Sequence, residues 1–332
     1  MTTSTVRFLF AIPFLLTLAD SLPADEEMSK SVVDRVRTAS VEVLIQGQLR
    51  GGGAFVKDSR GKLFILTAAH LFHTPRDTAV IATNDGKSYF ASLSAYDLGH
   101  DLAILEVDPE AGHYGSLPLA VSIPNETVPV FNFGPALRRR TLVIPGHIAD
   151  SRISYTDFTA SKGYLAHYFV SAINPVMTSG GVWVNRSGEI VGIQHGRLLA
   201  EKGSSGLSMV SSPKAAAALL ESNAIAQTPG LGGYIWEIWT ADRSLLDELP
   251  RNAEGLFINP VFKNGPLARA DLKQFDVIVS CDGIPVRRRH QLLEILRSKP
   301  AGSSFTFEVV SPGTQGRRPV ALLTEPLEQN WK

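Results

Sequence analysis

The feature that most constrains the fold is a series of short apolar segments between Ser31 and about Val210, each bounded by Gly, Pro, Asn or Asp. Most follow one another at roughly 8–15 residues and show little helical periodicity, which is typical of an antiparallel β-sandwich or barrel and not of βαβ units. The predicted strands of this region include 41–47, 52–56, 63–69, 78–83, 102–107, 128–134, 141–146, 168–173, 181–185 and 189–196.

The pattern changes after 227–233 (QTPGLGG), a turn-rich stretch that indicates a linker. Beyond it, helix-like segments at 244–250 and 290–298 alternate with short strands, which predicts a second domain of about 95 residues. Two further helices are predicted, one at 26–39 and one that begins at Pro213, where proline suits the first helical turn.

Composition excludes several classes of protein. The 332 residues carry 32 Lys and Arg against 32 Asp and Glu, so the chain lacks the basic footprint of a nucleic-acid binder. Its one cysteine, Cys281, excludes an intrachain disulfide framework and a Cys-rich metal site. His73 follows His70 by three positions, but no Glu or Cys stands at zinc spacing, so we expect neither a metal nor another cofactor.

Residues 1–24 have the three parts of a secretory signal peptide. A polar stretch that ends at Arg7 precedes an apolar run at 8–19, which is too short to cross a bilayer as a helix. Small residues at Ala19 and Ser21 then fit a cleavage site. We therefore expect export to the periplasm or the extracellular space, with an uncleaved membrane tether as the alternative.

Three motifs carry candidate chemistry. LTAAH ends a predicted strand at His70, HDLAILEV places Asp101 just before a strand, and MTSGGVWVN places Ser179 before two glycines. A serine hydroxyl needs a base within hydrogen-bond reach, and a carboxylate on the other nitrogen of an imidazole base fixes its tautomer. Each motif alone is weak, but together, in this order and within an all-β pattern, they predict a Ser-His-Asp triad.

Residues 32–222 resemble a chymotrypsin-fold protease of the HtrA/Deg family. TAAH, HDLAIL and the SGG…GEIVGI stretch match the family's triad motifs, and the spacings of 31 positions from His70 to Asp101 and 78 from Asp101 to Ser179 are similar. The resemblance implies a mostly β fold with two six-stranded barrels and the active site in the cleft between them. Ser179 would be the nucleophile, His70 the base and Asp101 the group that orients it.

Residues 230–325 resemble a PDZ domain of the HtrA type, most clearly at 254–286. With the signal peptide predicted at 1–24, the two resemblances imply a protease domain at 25–222, a linker at 223–232 and a small α+β PDZ domain at 233–326.

The same resemblance predicts a peptide-binding site at Gly233, Tyr234, Ile235 and Trp236. A peptide or C-terminus would add there as a further strand and lie against the helix at 290–298. Alternatively, this module only packs on the protease.

The nucleophile loop departs from the family pattern. The family has Gly-Asn-Ser or Gly-Asp-Ser before two glycines, whereas this chain has Met177-Thr178-Ser179 and one extra residue after Asn174. The resemblance assigns the oxyanion hole to the backbone N–H groups of Met177 and Ser179, with help from Thr178. A residue other than glycine resists positive φ, and a lost oxyanion donor costs about 10²–10³ in rate.

The resemblance also predicts substrate contacts at Ile173, Gln194, His195 and Gly196. Ile173 stands six positions before Ser179, where a pocket for Lys or Arg would need Asp, so small or medium apolar side chains are the expected preference. His195 either adds polarity to the pocket or is only a strand residue.

The sequence thus predicts an exported serine endopeptidase that cleaves unfolded or damaged proteins, with a PDZ domain for peptides or C-termini. The family also implies a homotrimer through residues 25–40. Two alternatives stay open: a pseudoprotease that acts as a peptide-binding or chaperone-like module, and a signalling protease that cuts one partner.

Overall fold

Strands dominate the fold. The computed structural model describes residues 27–328 except 75, 108, 137–138, 159–160, 201–202, 250–253 and 315, so the predicted signal peptide lies outside the described residues. Within these ranges, no helix is long and apolar enough to cross a membrane.

The first barrel follows a short helix, α1 (Lys30–Ala39), whose N-terminus is capped by the Ser29 side chain. Six antiparallel strands close it in the order β1-β2-β3-β6-β5-β4, and β4 pairs back with β1. The strands are β1 (Ser40–Ile45), β2 (Gln48–Lys57), β3 (Leu63–Ala68), β4 (Thr78–Thr83), β5 (Ser88–Asp97) and β6 (Leu102–Val107).

The second barrel closes in the order β10-β11-β12-β9-β8-β7. Helix α2 (Pro213–Ser222) follows it, with Ser212 as its N-cap and Pro213 in the first turn. Side chains of α1, α2 and both barrels share one buried apolar cluster, so the barrels and their flanking helices form a single packed unit. The strands are β7 (Pro129–Ala136), β8 (Arg139–Phe158), β9 (Gly163–Ser171), β10 (Val182–Val184), β11 (Ile190–Ala200) and β12 (Gly203–Val210).

The remaining chain forms a smaller α+β unit around a sheet in the order β14-β15-β16-β18-β19, with β17 paired to β16 and β13 paired to β20. Cys281 is buried on β16, and burial raises the pKa of its thiol to about 12. The elements are β13 (Pro229–Gly230), β14 (Gly233–Glu237), α3 (Arg243–Glu248), β15 (Leu256–Val261), α4 (Pro266–Arg269), β16 (Val277–Cys281), β17 (Ile284–Pro285), α5 (Arg289–Arg297), β18 (Ser304–Val310), β19 (Arg318–Leu323) and β20 (Glu325–Pro326).

Helix α5 holds this unit against the two barrels. The Arg297 guanidinium donates to the carbonyls of Gly99, at 3.2 Å, and Tyr164, at 2.5 Å. Asp97 accepts hydrogen bonds from Thr228 of the connecting segment and from the Gly99 N–H. The turn at Gly99, two residues before Asp101, therefore contacts the C-terminal unit directly.

The predicted fold class, mostly β with two barrels and a small α+β unit, is confirmed. Element bounds differ in places: α1 begins at Lys30 rather than at 26, and β8 spans 20 residues where the pattern predicted a strand at 141–146. Strand β5 was absent from the prediction, because its central residues Ser92 and Ser94 interrupt the apolar run.

Phe55 tests the packing of the first barrel. It has no exposed surface and stacks on Tyr114 with ring centroids 5.1 Å apart, so Phe55→Ala should lower the free energy of unfolding by about 3–5 kcal/mol. Phe90→Ala is the matched control, because Phe90 is 73% exposed and its loss should change stability by less than about 0.5 kcal/mol. Urea unfolding followed by tryptophan fluorescence measures both, and equal losses would contradict the assignment of Phe55 to the core.

Candidate active site

Pairing of β3 with β6 brings His70 and Asp101 together. Ala68 pairs with Leu102, so the residues just beyond them, at the end of β3 and the start of β6, lie side by side. His70 sits in a single 3₁₀ turn after β3, and the Ala69 N–H donates to the Asp101 carbonyl at 3.2 Å. Two residues 31 positions apart in sequence therefore become neighbours.

The Asp101 carboxylate holds His70 by two hydrogen bonds. Its Oδ1 accepts from the His70 backbone N–H at 2.8 Å, and its Oδ2 lies 2.5 Å from His70 Nδ1. Burial disfavours the charged imidazole, but the charge and the hydrogen bond of Asp101 outweigh it and raise the pKa of His70. Burial likewise opposes the charge on Asp101, yet its imidazole contacts hold the pKa of Asp101 well below its usual range.

Ser179 lies on the loop before β10, fixed between the two barrels. The Gly52 N–H of β2 donates to the Ser179 carbonyl at 2.8 Å, and the Gly180 N–H donates to the Gln194 carbonyl of β11 at 2.8 Å. Gly180 has φ +78°, and a Cβ there would lie 2.2 Å from the Gly52 carbonyl oxygen. Glycine is thus required beside the candidate nucleophile.

The Ser179 hydroxyl is turned away from the base. Its Oγ donates to the His195 carbonyl at 3.0 Å, and within the described part of the chain no hydrogen bond joins it to His70. Rotation of the side chain about χ1 must therefore precede proton transfer to His70.

The loop predicted to form the oxyanion hole adopts a backbone conformation that residues other than glycine resist. Met177 has φ +74°, so a residue other than glycine occupies the left-handed region, and the Thr178 hydroxyl bonds the Pro175 carbonyl at 3.1 Å. Among the described residues, no hydrogen-bond acceptor takes the backbone N–H of Met177 or of Ser179. Both predicted oxyanion donors are available to a ligand.

Two predicted substrate contacts, Ile173 and Gln194, do not lie on an open pocket wall. Ile173 is 79% exposed, so its side chain is not the floor of a pocket, whereas its neighbours Ala172 and Asn174 are buried. Gln194 is buried, accepts from Asn174 and Trp183 at 2.9 and 2.7 Å, and donates to the Gly196 carbonyl. The contact of Asn174 with Gln194 was not predicted, because it joins residues 20 positions apart in the sequence.

His195 also lies elsewhere than on an open pocket wall. Its side chain has no exposed surface, and its Nδ1 is 3.2 Å from Asp101 Oδ2. The reason is the direction of the side chain on β11, which points between the barrels towards the acid. His195 thus belongs to the His70–Asp101 cluster, which the sequence did not indicate.

The predicted peptide site lies on β14, an edge strand whose only neighbour among the described strands of its sheet is β15. The open edge is occupied by Tyr164 of β9: the Ile235 N–H donates to the Tyr164 hydroxyl at 2.6 Å, and that hydroxyl donates to the Ile235 carbonyl at 2.9 Å. Tyr234 packs edge-on against the Tyr164 ring, and Trp236 donates to the Asn259 carbonyl at 2.7 Å.

Comparison with known proteins agrees with this geometry. Residues 51–193 match the model of the trypsin-like peptidase domain. The chain is 25% identical over 256 residues to the serine endoprotease DegS of Escherichia coli (strain K12), covering 70% of this chain and 65% of DegS. It is 23% identical over 279 residues to the periplasmic serine endoprotease DegP of the same strain, covering 80% of this chain and 55% of DegP.

A solved structure of the HtrA-type protease AlgW with a decapeptide superposes with a TM-score of 0.63 at 18% identity, covering 90% of this chain and 98% of that one. The fold, the peptidase-domain match and these relatives agree: the chain is similar to HtrA-type, trypsin-like serine endoproteases in sequence and to AlgW in fold. The chain spans just under two thirds of the DegS length, 65%.

The charge on Asp101 should set the titration of His70. Asp101→Asn removes the charge but keeps the shape, so the pKa of His70 should fall, because burial then disfavours the charged imidazole without an opposing carboxylate. Asp34→Asn is the control, because Asp34 is an exposed residue of α1. The ¹⁵N signals of the His70 ring measure the change, and an unchanged titration in Asp101→Asn would contradict the pairing.

Proposed function

We propose that the protein is an exported serine endopeptidase that cleaves unfolded or damaged proteins and is controlled by its C-terminal PDZ-like unit. The observation that carries the proposal is the buried Asp101 carboxylate on His70, beside a loop that presents Ser179 with unoccupied backbone N–H groups. A purely structural ion pair would not require a neighbouring serine whose loop depends on glycine at position 180.

The proposed reaction begins when the Ser179 hydroxyl leaves the His195 carbonyl and turns towards His70. Its Oγ attacks the peptide carbonyl carbon while His70 Nε2 accepts the hydroxyl proton, and His70 later gives that proton to the leaving amine. Asp101 holds the tautomer and stabilises the imidazolium. The N–H groups of Met177 and Ser179 donate to the oxyanion, where each donor is worth about 10²–10³ in rate.

The exposed apolar side chains at the rim of the site indicate which substrate side chains it would accept. Ile173 and Val176 are 79% and 50% exposed on the loop that leads to Ser179, so an apolar substrate side chain would bury surface against them. Attack also needs an extended backbone in the cleft between two barrels, which an unfolded chain offers and a folded protein does not. This supports unfolded polypeptides with small or medium apolar residues as substrates.

Peptide binding at β14 would regulate the site. A C-terminus that adds to this edge by β-augmentation needs the N–H and carbonyl of Ile235, which Tyr164 holds. Peptide binding therefore displaces a residue of the second barrel, and this supports regulation by C-termini. Export directed by residues 1–24 and assembly of a homotrimer belong to the same proposal.

A second function is favoured by one observation. The hydrogen bond from Ser179 to the His195 carbonyl leaves the nucleophile and base unconnected, which is what a catalytically inactive peptide-binding protein would show. We place this second because the oxyanion donors and the His70–Asp101 pair are both formed.

Labelling separates the two functions. A fluorophosphonate should label the wild type, and cleavage of unfolded casein should accompany labelling, whereas Ser179→Ala should lose both. Ser187→Ala is the matched control, because Ser187 is an exposed serine eight positions along the same chain segment. Both reactions are run with and without a peptide that carries a free C-terminal carboxylate.

The endopeptidase proposal fails if wild type and Ser179→Ala are equally unlabelled and neither cleaves casein in the presence of peptide. Cleavage of one partner protein at a single site, without activity on casein, would support the narrower signalling protease.

Removal of the Tyr164 hydroxyl should favour peptide binding. Tyr164→Phe leaves the Ile235 N–H and carbonyl without this partner, so labelled decapeptides with randomised C-terminal residues should bind about 3- to 10-fold more tightly. Tyr155→Phe is the control, because Tyr155 also packs on this unit but its hydroxyl does not bond the β14 edge. Fluorescence polarisation measures binding, and equal affinities in wild type and Tyr164→Phe would show that peptides do not use this edge.

A further inference from the structure

His195 contacts two members of the triad. Its backbone carbonyl accepts the Ser179 hydroxyl at 3.0 Å, and its side chain places Nδ1 3.2 Å from Asp101 Oδ2. The same Oδ2 lies 2.5 Å from His70 Nδ1, so two imidazoles share one carboxylate oxygen. No other described residue has both contacts.

The surroundings of His195 keep its ring neutral. Burial lowers the pKa of His195, and the nearby His70 and His100 lower it further, against the opposing carboxylate of Asp101. His167 of β9 also faces it and is itself buried, with a pKa of about 4. A neutral imidazole carries one N–H, and on Nδ1 this N–H has the Asp101 carboxylate as its nearest acceptor.

The contact is not yet a well-aligned hydrogen bond. The 3.2 Å separation suits one, but neither ring nitrogen of His195 makes an aligned hydrogen bond, and both are buried. A buried N–H without a partner costs free energy, which favours a ring rotation that completes the bond. In this conformation the Ser179 hydroxyl still rests on the His195 carbonyl, so the alignment and the release of Ser179 involve the same residue.

We propose that His195 is a positioning residue of the active site, which donates its Nδ1–H to Asp101 Oδ2 when Ser179 turns to His70. The inference rests on the proposed endopeptidase function. A second donor on Oδ2 fixes the carboxylate and takes up part of its charge. His70 is then held less strongly in its protonated form, so more of it is available as a base near neutral pH.

Two substitutions at one position separate a donor from a merely space-filling side chain. His195→Leu introduces an apolar side chain of similar size that has no N–H group. His195→Asn instead places an amide N–H near the position of the histidine Nδ1. His113→Leu is the control, because His113 is exposed and remote from Asp101.

The pH profile of kcat/KM and the separate values of kcat and KM are measured on unfolded casein peptides. His195→Leu should raise the acidic midpoint by about half a pH unit. It should also lower kcat about tenfold, with KM changed less than about twofold, since the side chain does not reach the surface. His195→Asn should restore the midpoint, and His113→Leu should behave as wild type. A structural role alone would not move the midpoint.

An NMR readout keeps this proposal independent of activity. The His70 ring should titrate at higher pH in the double variant Ser179→Ala, His195→Leu than in Ser179→Ala alone. In the otherwise wild-type chain the protonated nitrogen of His195 should be Nδ1. An Nε2–H tautomer, or a His70 titration and pH midpoint that His195→Leu leaves unchanged, would overturn the proposal. If the wild type cleaves nothing while the His70 shift is present, the endopeptidase proposal fails and the role of His195 stands.

Discussion

The buried carboxylate of Asp101 is the group on which the arrangement of the site depends. A charge out of contact with water is tolerated only where hydrogen bonds and opposite charge compensate it. Here the backbone N–H and the imidazole of His70 meet that need, and the pairing of β3 with β6 delivers both of them. The raised pKa of His70, its tautomer and the position of its Nε2 all follow from this one contact.

The hairpin of β8 and β9 connects that site with the C-terminal unit. The Phe158 ring, at the end of β8, lies edge-on to His70 with centroids 6.0 Å apart. Tyr164, at the start of β9, takes the free edge of β14, and Arg297 of α5 bonds both Tyr164 and Gly99. Changes at the β14 edge therefore reach groups that touch His70 and the turn before Asp101 through direct contacts.

Much of the fold was predictable because it is local in sequence. Short apolar strands with turn residues between them indicated the barrels, and Pro213 marked the start of α2. His70, Asp101 and Ser179 could be identified as candidates because each lies in a short motif next to the end of a strand.

The remaining details depend on contacts between distant segments. Neither the Met177 conformation nor the inward turn of Asn174 follows from local preference, because the Gly52 and Gln194 backbone bonds impose the path of the loop. For His195 the sequence left open a pocket wall or a plain strand position, since alternation along a strand gives two faces but not which one meets Asp101. The contact of Tyr164 with Ile235 joins residues 71 positions apart and has no sequence signature.

A crystal structure with a peptidyl boronate would show whether the resting loop can work as an oxyanion hole. We expect boron bonded to Ser179 Oγ, the bond to the His195 carbonyl broken, and one boronate oxygen about 2.7–3.1 Å from the amide nitrogens of Met177 and Ser179. An unmodified Ser179 that still donates to the His195 carbonyl at saturating inhibitor would contradict it.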